Sequence, residues 1–316
     1  MAGGPTDMKL TRTFFCTLNV IILGSFSFAV LNPLSGQASD FHSPRTASLA
    51  GAGHASPLLN DSIYLNPAYV SYLTNTVSVG SSYLRYESGD QNQDPTKPNS
   101  NGLATHGRSY LVSLQDGRSE VFQAGVGYAI NEGGSSLHLG AAKSVVKRVG
   151  VGVGSKFFFN PTKQSLASEF SASTIVFPFQ DMQIAVIVDN LFENSADRSR
   201  GLYREYLLGL KYNVMGILIL YFDPHLVPAL ADASWGHESG VEFIVMKDLF
   251  LRAGFSRNAK VPYLTGINDH SFGTYGSSFG VGAGWISPKF SLDYAMARTL
   301  DPVFYTSHTL GMTMYF

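Results

Sequence analysis

The feature that most constrains this chain is a strict two-residue alternation of side-chain character, clearest at residues 309–316. In that stretch Leu310, Met312, Met314 and Phe316 alternate with Thr309, Gly311, Thr313 and Tyr315. Side chains change face at every residue of a β-strand, so the pattern predicts a strand with one apolar face. Such a strand, left at the edge of a soluble sheet, would promote aggregation. We therefore expect it to be paired on both sides and covered on its apolar face.

The composition favours a membrane protein built from strands. Of 316 residues, 22 are basic and 23 acidic, and this near-neutral balance argues against a nucleic-acid partner. Charged residues make up 14 % of the chain, whereas soluble domains carry about 25 %. The chain has 32 Gly, 22 Phe and 16 Tyr, and its mean hydropathy of +0.06 is too low for a helical membrane protein. These values are typical of a transmembrane β-barrel, in which each strand exposes only alternate residues to lipid.

Strand-like stretches recur along the chain from residue 75, and they number about fourteen, an even number as single-chain bacterial barrels require. They lie near residues 75–86, 107–115, 120–130, 135–145, 149–159, 166–177, 182–190, 202–212, 215–223, 238–246, 249–257, 273–286, 289–298 and 306–316. The apolar C-terminal strand that ends in Phe316 resembles the signal of bacterial outer-membrane barrels, whose last strand pairs with the first. We therefore predict an all-β fold, a transmembrane antiparallel barrel in the bacterial outer membrane. A soluble β-sandwich is the alternative architecture.

The connections between these stretches alternate in length. Short ones such as 247–248 and 287–288 alternate mostly with long ones such as 87–106 and 258–272. Outer-membrane barrels have short periplasmic turns and longer extracellular loops. The short connections are therefore expected at the periplasmic rim.

Charged side chains within the strands are predicted to point inward. A charge that faces lipid at the bilayer midplane costs about 2–4 kcal/mol. The charges concerned are Glu205, Lys211, Glu242, Arg252 and Asp293. Because buried charges need partners or water, we expect them to form networks with one another or with Arg45 and Asp61. The alternative is a water-filled lumen in which they stay unpaired.

The N-terminus has the pattern of a secretory signal. Lys9 and Arg12 precede an apolar run at 14–30, and small residues at 35–38 offer a cleavage site. We predict that residues 1–38 are removed; a single membrane anchor is the alternative. The only cysteine, Cys16, lies within this segment, so the mature chain would have neither disulfide nor thiolate chemistry.

Residues 43–70 separate this signal from the first strand and lack the alternation that follows. They are rich in small residues and turn formers, and they contain Asp61-Ser62 and Asn66-Pro67-Ala68. Pro67 restricts Asn66, whose side chain bonds nearby backbone groups, so a rigid turn is expected. Glycines of the inward face, such as those at 150–154, fit either close approach of this segment or curvature of the wall.

The run from Ala47 to Ala68 resembles the N-terminal segment of the FadL family, outer-membrane transporters of long-chain fatty acids and other hydrophobic compounds. The resemblance implies that residues 39–74 form a hatch inside a fourteen-stranded barrel of residues 75–316, with Asp61, Asn66, Pro67 and Ala68 as its motif. It also implies passive transport of a fatty-acid-like molecule, with outer-membrane lipid around the wall and neither cofactor nor metal. An ordinary turn before the first strand is the alternative interpretation of the motif.

Two other functions were weighed. The same small-residue and Asn-Pro-Ala pattern is similar to that of PorV-like barrels, structural or attachment proteins, so a periplasmic or surface protein is an alternative partner.

The motif G-x-S-x-G at 276–280 lies in a strand rather than in a strand-to-helix turn, which argues against an enzyme. His225 and His237 are the closest approach to a metal-binding pair, but no ligand spacing supports them.

Overall fold

The computed structural model describes ten stretches of the chain: residues 43–73, 77–88, 106–119, 121–131, 134–160, 165–195, 202–229, 235–258, 276–301 and 305–316. The predicted signal peptide, residues 1–38, lies outside these residues. No helix in the described stretches is long and apolar enough to span a bilayer.

The described residues form a closed antiparallel barrel of fourteen strands. The strands are β1 (Val77–Ser88), β2 (His106–Asp116), β3 (Gln123–Asn131), β4 (Gly134–Val146), β5 (Val149–Asn160), β6 (Ser165–Phe179), β7 (Met182–Asp189), β8 (Glu205–Val214), β9 (Leu218–Leu226), β10 (Trp235–Met246), β11 (Leu249–Asn258), β12 (Gly276–Ile286), β13 (Phe290–Asp301) and β14 (Tyr305–Tyr315). Each strand pairs with its neighbours along the chain, and β1 pairs with β14. The predicted fold class is confirmed, and the strand ends differ from the predicted ones by only a few residues.

Pairing of the first and last strands closes the wall. The register runs from Ser78 opposite Tyr315 to Ser88 opposite Tyr305. Beyond it, the amide of Phe316 donates to the carbonyl of Val77 at 2.9 Å. In hydrocarbon no water can satisfy a free backbone group, so closure is the condition under which strands can span a membrane.

The outward face of the wall is apolar. Leu310, Met312, Met314 and Phe316 of the C-terminal stretch are exposed, as are Leu208, Val241, Phe243 and Leu292 in other strands. Aromatic side chains, among them Tyr206, Tyr212 and Trp285, are also exposed there. Most inward positions carry small or polar residues, and a few apolar ones, such as Leu84 and Leu111, pack against Ile63 and Tyr64 of residues 43–73. A closed barrel with this distribution is the architecture of bacterial outer-membrane proteins, which confirms the predicted location.

The sequence-based boundaries around Pro224 were wrong. Residues 223–236 were expected to form an outer loop, but β9 continues to Leu226 and β10 begins at Trp235. Proline has no amide hydrogen, so it usually ends a strand. Here the β8–β9 register skips from Leu207–His225 to Leu210–Phe222, and the Leu210 amide donates to the Asp223 carboxylate at 3.2 Å instead. The side chain of Asp223 thus replaces a bond of the interrupted ladder.

Residues 43–73, here called the N-terminal segment, form four short helical turns. They are α1 (Pro44–Ser48), a 3₁₀ turn (Leu59–Asp61), α2 (Ser62–Leu65) and a second 3₁₀ turn (Pro67–Tyr72). Ser43 caps α1 by accepting a hydrogen bond from the Thr46 amide, and Asn66 caps the last turn in the same way. In both turns a proline follows the cap, where its missing amide hydrogen is not needed.

The N-terminal segment packs closely against the inward side of the wall. A Cβ on Gly152 of β5 would collide with the backbone of Pro67 and Ala68, and one on Gly254 of β11 would collide with the backbone of Leu49. Leu49 is fully buried and contacts Tyr221 of β9 in one apolar cluster. Of the two interpretations of the inward glycines, close approach of the segment accounts for these two positions.

The free-energy cost of a charge on the outward face should depend on how deep in the bilayer the charge lies. Val241 lies at the middle of β10 and Met246 at its end, and both are exposed on the outside. Val241→Lys should destabilise the barrel by about 2–4 kcal/mol and Met246→Lys by about 0–1 kcal/mol. Denaturant unfolding in lipid vesicles measures the difference. Equal costs at the two positions would contradict the assignment of β10 as a membrane-spanning strand with this face in lipid.

Candidate functional site

The Asn66-Pro67-Ala68 motif forms a hydrogen-bonded turn against the wall. The fully buried Asn66 donates from Nδ2 to the carbonyl of His54 at 2.8 Å. Its Oδ1 accepts from the Ala68 amide at 3.1 Å. The same amide donates to Oγ of Ser173, on β6, at 2.9 Å. The motif therefore joins two parts of the N-terminal segment and attaches the segment to the wall.

Asp61 ties together the two halves of the N-terminal segment. Its Oδ2 accepts hydrogen bonds from Ser43 and Thr46, at the start of α1. Its Oδ1 accepts one from the Tyr64 hydroxyl at 2.6 Å. Burial raises the pKa of Asp61, and these hydrogen bonds, together with the charge of Arg45, act in the opposite direction. Asp61 thus serves the internal structure of the segment and makes no described bond to the wall charges.

Three of the predicted inward charges, Glu242, Arg252 and Asp293, form a group beside Arg45 of the N-terminal segment. Glu242 accepts from Nε of Arg252 at 2.5 Å and lies 3.4 Å from Nε of Arg45. Arg252 also donates from Nη1 to Asp293 at 2.5 Å. Arg45 donates from Nη2 to the Tyr221 hydroxyl at 2.7 Å and lies over its ring. This arrangement is called the Arg45 cluster below.

The other two predicted charges lie elsewhere. Lys211 donates from Nζ to Oγ of Ser56, another contact between wall and segment, at 3.1 Å. Glu205 pairs with His225, with 3.2 Å between its Oε1 and Nδ1 of the imidazole. The five charges therefore do not form one network; they divide among separate groups on the inward face.

A second attachment centres on His54 and was not predicted from the sequence. Nδ1 of His54 lies 3.0 Å from Oδ2 of Asp223, which is fully buried, and 3.6 Å from Oε2 of Glu238. The same Asp223 oxygen accepts from the backbone amides of Gly53 and His54 at 2.7 and 2.9 Å. We call these residues, with the neighbouring Glu205–His225 pair, the His54 cluster.

The charges of this cluster set the protonation of His54. Burial would lower the pKa of His54, but the hydrogen bond and charge of Asp223, with the charges of Glu238 and Glu205, raise it from 6.5 to about 9. His54 is therefore a cation at neutral pH. The stability that its pairing with Asp223 contributes is therefore fully present below pH 6.5 and is lost as the pH rises through about 9.

His54, Asp223 and Glu238 also have the donor groups of a metal site. The ligand-type atoms of His54, Asp223 and Glu238 lie within 4.8 Å of one another. A metal ion would have to displace the proton on His54, and it would compete with the backbone amides for Asp223. The geometry is better explained by a hydrogen-bonded ion pair that fastens the segment to β9 and β10.

The histidine pair noted in the sequence does not form a site. His225 points inward to Glu205, whereas the ring of His237 packs on the outside between Phe222 and Phe255, with ring centroids 6.0 and 6.4 Å away. Tyr221, Asp223 and His225 alternate along one strand and therefore share its inward face, and this pattern would have indicated the His54 cluster. The predicted strand ended before Pro224, so the pattern was not recognised.

A cavity remains between the N-terminal segment and the wall beside Arg45 and Asp61. Its volume is about 30 Å³. Polar residues from both sides line it, among them Asn60, Tyr64, Ser113 and Asp293. An apolar cavity that takes up benzene is about 150 Å³. The space is therefore too small and too polar for a hydrocarbon.

Comparison by sequence finds no relative of this chain. No protein-family model matches it, and no curated protein does.

Comparison by structure finds relatives in fold. The monoaromatic hydrocarbon channel CymD superposes with a TM-score of 0.62 at 11 % identity, over 90 % of this chain and 98 % of that one. A Pseudomonas aeruginosa FadL homologue gives 0.62 at 11 %, over 89 % and 99 %. The Ralstonia pickettii toluene transporter TbuX gives 0.59 at 11 %, over 90 % and 99 %.

The chain has the fold of the FadL-type channels. The resemblance predicted from the N-terminal motif and the strand count is confirmed at this level. Because each of these three chains is almost fully covered, the shared architecture includes the whole barrel.

The ionisation of His54 can be measured directly. In protein with labelled histidine, we expect the His54 imidazole resonance to titrate with a midpoint near pH 9, and Asp223→Asn to lower that midpoint because the countercharge is removed. His237→Gln, on the outward face, should leave the resonance in place and helps to assign it. A His54 midpoint at or below the ordinary 6.5 would contradict the ion pair.

Proposed function

We propose that the protein is a passive outer-membrane channel for hydrophobic small molecules, with the N-terminal segment as its hatch. The observation that carries the proposal is the attachment of this segment to the inward face of a barrel with the FadL-type fold. The polar contacts of this attachment include those at Ser173, Asp223 and Glu242, and Leu49 packs on Tyr221 beside them. Such contacts can open and close without disturbing the ladder of the wall.

The relatives in fold support a hydrophobic solute. Two of them are described as a monoaromatic hydrocarbon channel and a toluene transporter. A hydrophobic molecule of this size, or the chain of a fatty acid, is the solute that we propose for this protein. Such a molecule partitions from the outer leaflet without an energy source, so the transport is passive.

Movement of the N-terminal segment is needed for such a solute to pass. The cavity beside Arg45 holds only about 30 Å³, against about 150 Å³ for a site that takes up benzene. A displaced segment would open the space between itself and the glycine-lined strands. The requirement for room supports the proposed hatch role.

The Asn66 motif provides a test of the opening equilibrium. Asn66→Ala removes two side-chain hydrogen bonds, each worth about 0.5–1.5 kcal/mol. A loss of about 1.4 kcal/mol changes the open population tenfold. The variant should assemble normally and admit a hydrophobic fluorescent probe faster. Asn213→Ala, near the end of β8 where the side chain bonds Asp181, is the matched control and should leave uptake unchanged.

A reversible tether tests movement of the segment itself. The Ala68 amide lies 2.9 Å from Oγ of Ser173, so the two residues are in contact, and Ala68→Cys with Ser173→Cys is the pair to oxidise, with loss of free thiol as the measure that a disulfide has formed. We expect the oxidised protein to stop taking up the probe and reduction to restore uptake. Val79→Cys with Leu114→Cys joins two facing wall positions and should have no effect.

The results of the uptake and tether experiments distinguish a channel with a hatch from an attachment barrel. Uptake that continues in the fully oxidised tether would contradict a hatch. Absence of probe uptake in the parent protein, together with a stoichiometric protein that co-purifies, would favour the attachment barrel instead.

A further inference from the structure

Exposed apolar and basic side chains occur together at the rim with the short connections. Lys147 and Arg148 are exposed in the turn between β4 and β5, and Lys143 is exposed near the end of β4. The side chains of Phe122, just before β3, and Phe179, at the end of β6, are 53 and 68 % exposed. The set that they form with Val145 is here called the basic rim patch: Phe122, Lys143, Val145, Lys147, Arg148 and Phe179.

Lys143 lies on the outward face of β4. Ala142 before it is buried on the inward side, and Lys143 itself faces Val151 of β5, which is exposed. Phe122 borders Lys143 on the other side, since the facing pair of β3 and β4 next to them is Gln123 with Ala142. An outward charge costs least near the end of a membrane-spanning strand. Lys143 therefore marks the level at which the hydrocarbon ends.

A β-bulge exposes two consecutive valines between Lys143 and the turn. The pairing of β4 with β5 shifts between Ser144, which faces Gly150, and Val146, which faces Val149. Val145 and Val146 are 61 and 58 % exposed. In a regular strand one of two neighbours would point inward, and bulges at barrel rims redirect side chains in this way. The bulge thus extends the apolar outward face as far as the turn.

Arg148 connects this turn to the end of β6. Its carbonyl accepts a hydrogen bond from the Phe177 amide at 3.0 Å. Its Nη1 donates to the carbonyl of Pro178, next to Phe179, at 3.2 Å. The acceptor is a neutral group, so the charge of Arg148 is not cancelled. The patch is therefore continuous from β3 to β6.

The basic rim patch carries a net positive charge. No ion pair joins Lys143 or Lys147 to a residue in the described stretches. Asp116, on the neighbouring turn, is paired within that turn at 3.1 Å. The three basic residues of the patch outnumber Asp181 and Glu120, the acidic residues nearest to it in the sequence. An anionic ligand therefore matches its charge.

We propose that the basic rim patch binds the headgroup of an anionic phospholipid in the periplasmic leaflet of the outer membrane. Short connections are periplasmic in such barrels, which places the patch in that leaflet. Basic side chains at a membrane surface attract anionic headgroups, and lysine stems lie along apolar surface while the ammonium group reaches the phosphate. The acyl chains of the lipid would cover Val151 and Val153, the exposed outward residues of β5 beside and above Lys143.

Continuity with the lipid-facing wall favours a phospholipid over a periplasmic protein as the occupant. Leu139, Lys143 and Val145 follow one another on the outward side of β4, and Leu139 is exposed in the apolar band. A protein that docks from the periplasm would contact the turn at Lys147 and Arg148, but Lys143 lies higher on the strand. A phospholipid contacts both levels, and free phosphate has no acyl chain to cover the valines.

The test uses the whole barrel in detergent with phosphatidylglycerol and phosphatidylcholine of the same acyl chains. We expect native mass spectrometry to show about tenfold or greater preference for phosphatidylglycerol, weakened at high salt. Lys143→Gln with Lys147→Gln should abolish most of this preference. Lys143→Arg with Lys147→Arg should retain it, because the charges remain. Arg148 is left in place because its hydrogen bond to Pro178 supports the fold.

The control is a matched loss of two charges elsewhere on the same rim. Lys247→Gln with Lys289→Gln removes two exposed lysines and should leave the preference intact, and heat-modifiable migration verifies that each variant is folded. Equal binding of the two lipids, an unchanged preference in the variant at 143 and 147, an equal loss in the control, or complete competition by millimolar inorganic phosphate would overturn the proposal.

Amine labelling separates a lipid from a protein on the patch. In nanodiscs, added phosphatidylglycerol should slow the modification of Lys147 by a water-soluble amine reagent more than that of Lys247. Protection of Lys147 by a periplasmic extract in phosphatidylcholine nanodiscs, without protection by phosphatidylglycerol, would overturn the proposal and assign the patch to a protein.

Discussion

Closure of the wall is the constraint on which the rest of the structure depends. A backbone amide or carbonyl without a partner in hydrocarbon costs several kcal/mol, so β1 must find β14. Once the strands are paired all around the barrel, successive side chains of each strand point alternately to the lipid and to the lumen. Most leucine, valine and phenylalanine side chains of the strands fall outside, whereas most glycines and serines and charges such as Glu242 and Arg252 fall inside. The outward apolar band and the inward polar surface are two consequences of a single ladder.

The inward charges in turn need the N-terminal segment. Arg252 is shared between Glu242 and Asp293, and Arg45 adds a second cation beside Glu242. Asp223 receives His54 and two backbone amides of the segment. Removing one partner from a buried pair costs about 3–5 kcal/mol because the other charge stays behind. Wall and segment therefore depend on each other electrostatically, in addition to their neutral hydrogen bonds and close packing.

The sequence predicts those properties that follow from the two-residue alternation of side chains along each strand. Strand number, the apolar face and the inward direction of Glu242 or Arg252 are local properties of each strand. Which charges meet is decided by register and by the path of the segment, and neither is encoded locally. Asp223 shows the difference. Asp223 lies two residues after Tyr221 and therefore faces inward as Tyr221 does, but Pro224 suggested that the strand ends there. Its partner His54 is 169 residues away in the chain, so no local pattern predicts the contact.

The charged contacts, taken alone, distinguish the two ends of the N-terminal segment. Displacing the whole segment would strip Asp223 and Glu242 of His54 and Arg45, at about 3–5 kcal/mol for each buried charge left behind. Displacing only the last turn, Pro67–Tyr72, breaks neutral bonds such as Ala68 to Ser173, each worth about 0.5–1.5 kcal/mol. A hatch built in this way would open at its Asn66 end, while the Arg45 and His54 clusters hold the remainder against the wall.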